Sequence, residues 1–194
     1  GLLHAALQAG RDDLTILPIA VAYDLVLEDQ VLAHQGVKRR QRSFARELAE
    51  MVRHGVGYQS RAFVTFGTPV ALQNFDPESR REVMALARHI GDRIGKLHKV
   101  LPTALVAAAI RASIEMKELT DRIDGFIEIL RSANANLAVD SGEQALSEAL
   151  ETMVERGILV VDGTRCRVRD RFVLRYYARS IQHLLTPRTE HSTH

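Results

Sequence analysis

The chain has 194 residues, 46% hydrophobic and 26% charged, with a formal net charge of +2 at pH 7. That balance supports a packed core and excludes an intrinsically disordered chain, and the small positive charge falls far short of a dedicated nucleic-acid binder. The single cysteine, Cys166, excludes an internal disulfide framework and a cysteine-rich zinc site, and suits a reducing environment.

In chain order, residues 2–9 read as the end of a helix stopped by Gly10. Residues 14–23 (LTILPIAVAY) form a near-continuous apolar run, the pattern of a strand covered on both faces. Pro18 inside it cannot donate to a ladder and favours an edge or a bulge. Residues 41–54 predict an amphipathic helix ended by Gly55, and residues 62–66 a second strand punctuated by Gly67, Thr68 and Pro69. Asp76 and Pro77 then predict the start of a long helix with Val83, Leu86, Ile90, Ile94 and Leu97 on its apolar face. Pro102 opens an Ala-rich helix, and Leu119, Ile123, Ile127 and Leu130 mark a third. Ser141 with Gln144 three residues on predicts a capped helix that ends at Gly157. Residues 158–168 read as a hairpin turning at Asp162-Gly163, and Asp170 caps a last helix to residue 185.

The fold class expected is α/β: a partial sheet with helices over residues 1–75, a mainly helical region over 76–185 with its hairpin at 158–168, and a flexible tail over 186–194. Two strands cannot cover both faces of residues 14–23, so further strands are expected from sequence upstream. No apolar stretch approaches the roughly 20 residues needed to cross a bilayer.

No glycine-rich phosphate loop, nucleophile elbow or zinc-binding His-Glu-x-x-His helix is present. None of the eight histidines has Asp five positions later. Asp162-Gly163-Thr164-Arg165 falls on the hairpin signal and reads as a turn. Lys38, Arg39, Arg40 and Arg42 form a basic cluster without an intervening acid, suited to phosphate. Arg171, Arg175 and Arg179 recur every fourth residue and make a basic stripe on the last helix, suited to an anionic membrane surface or to plain solvation.

The segment ILPIAVAYD at 16–24, followed by LVLED at 25–29, resembles the fourth conserved block of the glycerol-3-phosphate acyltransferases. The resemblance continues in GVKRR at 36–40, where the bacterial membrane-bound enzymes carry a Gly-x-x-Lys segment. FVTFGTPV at 63–70 is similar to their Phe-Gly-Glu-Pro block, with Thr68 in place of Glu. VLPTALV at 100–106 and YYARSI at 176–181 resemble their helical C-terminal part.

The resemblance implies metal-independent transfer without a cofactor, from acyl-CoA or acyl-ACP to the sn-1 hydroxyl of glycerol-3-phosphate. A His-x-x-x-x-Asp pair acts as general base in that family. Its catalytic blocks precede the fourth, so they are expected upstream of Gly1, leaving these residues inactive alone. The resemblance also implies that Pro18, Ile19 and Tyr23 line the acyl pocket, with plain sheet core as the other reading and the one favoured for Ile19. Lys38, whose segment carries the similarity, and Arg40 of the same basic cluster are the candidates to meet phosphate, with a solvated loop before a helix as the other reading. Partners implied are glycerol-3-phosphate, acyl-CoA or acyl carrier protein, and an anionic membrane surface at the cytoplasmic face of the cell membrane, with no nucleic acid.

Two other readings compete. Residues 119–131, 141–156 and 158–168 resemble a winged helix in order and size, which suggests a binding module. However, Glu148, Glu151 and Glu155 on its second helix would repel phosphates. The chain can also be read as a scaffold without catalysis.

Overall fold

The structure, a computed structural model, describes residues 14–26, 60–72 and 78–186, with positions 5, 29, 33 and 76. The basic cluster at 38–42, the helix expected over 41–54 and the tail beyond Thr186 lie outside the described residues.

The apolar run at 14–23 is not one strand covered on two faces. It divides into β1 (Thr15–Ile16) and β2 (Ile19–Tyr23) around Leu17 and Pro18. These pair antiparallel with β4 (Val70–Ala71) and β3 (Ala62–Phe66), Ile16 opposite Val70 and Ile19 opposite Phe66. Two residues on one strand thus face three on the other, and Pro18 accepts through its carbonyl from Gly67 N–H at 2.8 Å. This bulge is where a residue without an N–H fits a ladder. Burial along β2 alternates: Ala20 and Ala22 are buried, whereas Ile19, Val21 and Tyr23 are exposed beside Val64 and Phe66. One face of this ribbon is therefore apolar and open.

The helix α1 (Arg80–Leu97) starts later than expected, capped by Ser79, whose Oγ accepts from Glu82 N–H. Asp76 instead accepts from Glu78 N–H at 2.9 Å, closing a local turn ahead of the helix. Among its described side chains Leu86 is the fully buried one, so α1 lies largely on the surface.

The short strand β5 (Lys99–Val100) pairs parallel with β7 (Asn136–Leu137) and leads into α2 (Pro102–Ala109). Helix α2 is the centre of the core. Seven of its eight residues are buried, and α3 (Met116–Ser132), α4 (Gly142–Glu155) and α5 (Arg171–Leu185) pack around it. Each outer helix presents an apolar stripe at helical spacing: Leu119, Ile123, Ile127 and Leu130 on α3; Ala145, Leu146, Ala149 and Met153 on α4; Val173, Leu174, Tyr177 and Ile181 on α5. Ser141 and Asp170 cap α4 and α5 through their side chains, as their positions predict.

A three-stranded sheet closes the far side in the order β6 (Ser113–Glu115), β9 (Arg165–Val168), β8 (Leu159–Asp162). Asp162 pairs with Arg165, so the hairpin loop is Gly163-Thr164, one position beyond that read from the sequence. Gly163 takes the first loop position with φ +57°, which a tight hairpin demands of a glycine. Cys166 points inward and is fully buried. The order α2, β6, α3, α4, β8, β9, with β6 beside β9, is that of a winged helix.

Gly142 shows how tightly α3 and α4 meet. Its N–H donates to Asp124 Oδ1 at 2.6 Å, and a Cβ there would lie 2.5 Å from the Thr120 carbonyl oxygen. Backbone cannot yield as a flexible side chain does. Gly142→Ala is therefore expected to cost about 1–3 kcal/mol, read as a shift of the urea midpoint at unchanged m.

Candidate functional site

The principal cavity of the described residues, about 770 Å³, opens between the end of β2, the turn into α2 and the outer face of α5. Its strand side carries Val21, Ala22, Tyr23 and Val26; its floor carries His98, Lys99, Leu101, Thr103 and Ala104; its helix side carries Phe172, Arg175, Tyr176, Tyr177, Arg179 and Ser180. Among the described residues, the lining holds three cations and no carboxylate.

The positions follow from local structure. Arg175 and Arg179 stand one turn apart on the solvent side of α5, opposite the stripe that Val173, Tyr177 and Ile181 bury against α2. Lys99 reaches the site from β5, its Nζ 5.6 Å from the Phe63 ring centroid. The first turn of α2 has no side-chain cap: it opens with Pro102, which has no N–H, and Ala104 and Leu105 N–H donate to the Leu101 carbonyl, both at 3.1 Å, while Leu101, Thr103 and Ala104 line the cavity. Such a helix start favours negative charge. Tyr176 stands edge-on against Tyr177, with ring centroids 5.4 Å apart. Burial raises the Tyr176 phenol above the ordinary tyrosine value, and the nearby Asp29 charge adds to it.

Beneath the cavity, the segment after β2 is held by two carboxylates. Asp24 Oδ1 accepts from Leu25 N–H and Arg61 N–H, both at 2.8 Å, and its Oδ2 lies 2.9 Å from Arg61 Nε. Asp29 is fully buried. Its Oδ1 lies 2.5 Å from Arg156 Nη2, and its Oδ2 accepts from the Tyr177 hydroxyl at 2.6 Å. Tyr177 in turn accepts from Val26 N–H, and Arg156 donates to the Val26 carbonyl. Burial, followed by the bond to Asp29, pushes the Tyr177 phenol far above the ordinary value, so it stays a donor. These contacts tie Val26 and Asp29 to Tyr177 on α5 and to Arg156 at the end of α4.

His98 borders the cavity with its ring centroid 6.0 Å from that of His183, which lies 3.2 Å from the Gly95 carbonyl through Nε2. Burial, and then the proximity of His183, lowers the His98 pKa below the usual 6.5.

Of the residues singled out from the sequence, Tyr23 lines the cavity, 53% exposed. Pro18 is buried at the bulge and Ile19 lies on the open outer face of β2; neither lines the cavity. Lys38 and Arg40 lie outside the described residues. Two members of the Arg171, Arg175, Arg179 stripe enter the site, while Arg171 lies over the Phe172 ring, 5.2 Å from its centroid. Lys99, Tyr176 and the Asp29 clamp were not singled out. The acidic pair Glu28-Asp29 after an apolar run was the local signal for Asp29, and its partners Arg156 and Tyr177 are distant in the chain.

A helical core beside a small sheet, with a cavity whose described lining is cationic and without a carboxylate, next to an open apolar strand face, defines a module suited to an anionic, partly apolar ligand. The chain belongs to the family of the glycerol-3-phosphate acyltransferase C-terminal region, which matches residues 46–189. Among curated proteins, none matches the chain with significance.

Two outcomes follow for the site. Tyr177→Phe leaves buried Asp29 without its hydroxyl donor and is expected to cost roughly 1–3 kcal/mol, whereas Arg156→Met strands the carboxylate and should cost about 3–5 kcal/mol, both measured by urea denaturation. For His98 the fold favours the neutral ring, so the unfolded chain binds more protons just below the ordinary value. Its contribution to stability is present above pH 6.5 and is lost as pH falls through the depressed folded value. His98→Gln should therefore lose less stability than the parent chain between about pH 7 and 5, read from denaturation midpoints across that range.

Proposed function

We propose that the chain is the C-terminal part of a glycerol-3-phosphate 1-O-acyltransferase, which moves an acyl group from acyl-CoA or acyl-ACP to the sn-1 hydroxyl of glycerol-3-phosphate in phospholipid synthesis. The observation that carries this reading is the cavity with Lys99, Arg175 and Arg179 at the end of β2, the strand most like the family's fourth block. Acyl transfer needs a base to take the hydroxyl proton, a seat for phosphate and an apolar slot for the acyl chain. The freed oxygen attacks the thioester carbonyl and the thiol leaves.

The chain offers the last two. The cations suit phosphate. Tyr23 borders both the cavity and the open face where Ile19, Val21, Val64 and Phe66 stand exposed, which suits an acyl chain. Pro18 shapes the bulge at the start of that face, and Lys38 and Arg40 are proposed as further phosphate contacts. No histidine has the Asp spacing of the family's base. The base is therefore proposed to belong to a part of the protein outside these 194 residues, and the chain alone is expected to be inactive.

No helix among the described residues is long and apolar enough to cross a membrane. Surface attachment at the cytoplasmic face of the cell membrane is the proposed location, because the product is an amphiphile and Arg171, Arg175 and Arg179 offer positive charge on an exposed helix face. The winged-helix order favours a nucleic-acid reading only by topology; Glu148, Glu151 and Glu155 are exposed on α4, and such charges repel a phosphate backbone.

The test is an acyl-transfer assay on the full gene product with glycerol-3-phosphate and acyl-CoA or acyl-ACP, with product position resolved by chromatography. Formation of 1-acylglycerol-3-phosphate is expected from the full product and none from these 194 residues. Absence of transfer with both donors refutes the reading.

A further inference from the structure

The cavity is too large for the small substrate. At the roughly 30 Å³ that one water molecule takes in the liquid, the ten or so heavy atoms of glycerol-3-phosphate need at most about 300 Å³. The cavity holds about 770 Å³, a size typical of sites for drug-sized ligands. Its chemistry has two parts that glycerol-3-phosphate would use only by half. Cations stand on two walls, Lys99 from β5 and the Arg175–Arg179 pair from α5, so that more than one phosphate can be met at once. None of the three is paired with a carboxylate among the described residues. Between and beside them stand aromatic rings, Tyr23, Phe172 and Tyr176, which glycerol cannot use and a base can stack on.

We infer that this cavity seats the phosphorylated nucleotide end of coenzyme A, with Arg175 and Arg179 on one phosphate group, Lys99 on another and an aromatic ring against the base. This rests on the acyltransferase reading and commits it to a donor and a subsite: the thioester donor, not glycerol-3-phosphate, occupies the basic cavity. The geometry supports it further. Arg175 and Arg179 project from a helix whose opposite face is locked into the core, and Tyr176 is held edge-on by Tyr177. The site is therefore largely preformed, which limits the ordering cost of binding. An acyl chain extending from the nucleotide past Tyr23 meets the open apolar face of β2 and β3.

The experiment is calorimetric titration of the 194-residue chain with coenzyme A, 3′-dephospho-coenzyme A, pantetheine 4′-phosphate and glycerol-3-phosphate. Coenzyme A is expected to bind, and loss of its 3′-phosphate to weaken binding by about fivefold or more. Pantetheine 4′-phosphate, the arm shared with acyl carrier protein, should bind more weakly still, and glycerol-3-phosphate should not compete better than inorganic phosphate. Arg175→Glu with Arg179→Glu should weaken coenzyme A by at least about tenfold with an unchanged unfolding midpoint, whereas Arg81→Glu with Arg88→Glu, an equal charge change on α1, should stay within about twofold.

No binding of coenzyme A, equal binding of its dephospho form, or an unaffected Arg175/Arg179 variant overturns the inference. In the full gene product the same variant should raise KM for acyl-CoA and leave KM for glycerol-3-phosphate unchanged; the reverse pattern overturns the subsite while leaving the acyltransferase reading standing. Absence of acyl transfer removes that reading without altering the binding result.

Discussion

The fold depends on burying one short helix completely. Helix α2 carries four alanines, Leu105 and Val106 and a single hydroxyl, so it has no polar face to give to water. It must be surrounded, and α3, α4 and α5 surround it. Alanine at so many positions lets those helices approach closely, which makes their stripes of Leu, Ile, Met and Tyr meet across it. The hydroxyl of Thr103 is satisfied by donating to the Asp24 carbonyl at 2.9 Å, and that bond places the end of β2 over the first turn of α2. The cavity is a consequence: where the chain turns into α2, neither the ribbon nor α5 fills the space above the helix N-terminus.

The second constraint is electrostatic. A fully buried Asp29 is tolerable because a guanidinium and a phenol both reach it, and the same two groups hold the Val26 backbone. Such a buried pair adds little net stability compared with a well-packed apolar alternative. What it supplies here is position. Leu25 joins the helical core just after the ribbon, and the directional, multiply bonded anchor at Val26 and Asp29 fixes that approach better than nonspecific packing alone. The Asp24–Arg61 bracket does the same at the start of β3, with Arg61 also 3.7 Å from Glu148 on α4.

The elements that were legible in the sequence are those whose signals are local. Helical stripes on α3 and α4, the caps Ser141 and Asp170, and the inward Cys166 follow from spacing and side-chain chemistry within a few residues. The hairpin was legible to within one position, because both the Asp162-Gly163 and the Gly163-Thr164 loop place Gly163 at a positive φ and differ in whether Asp162 turns or pairs with Arg165. The strand at 14–23 was misread because a run of apolar residues does not reveal how many faces are covered; Pro18 divides it, and β2 then alternates. The basic stripe on α5 was visible as a stripe, but its role was not. Lys99 and Tyr23 come to Arg175 only through the packing of α2, and no window of sequence contains that juxtaposition.

Charge also separates in a way that composition hides. The formal balance of +2 is close to neutral. Yet the exposed side of α4 carries Glu143, Glu148, Glu151 and Glu155, while the cavity on the other flank of α2 collects Lys99, Arg175 and Arg179 with no acid among the described residues of its lining. In a winged-helix arrangement α4 occupies the place of the helix that reads DNA, so the fold's usual nucleic-acid surface carries these four exposed glutamates. A polyanion approaching α4 meets negative charge, whereas the cations of the described lining stand on the α5 side around a concave site. Topology and charge therefore point in different directions: the order of helices and strands is that of a winged helix, whereas the glutamates on α4 disfavour a polyanion, and the chain belongs to the family of the glycerol-3-phosphate acyltransferase C-terminal region.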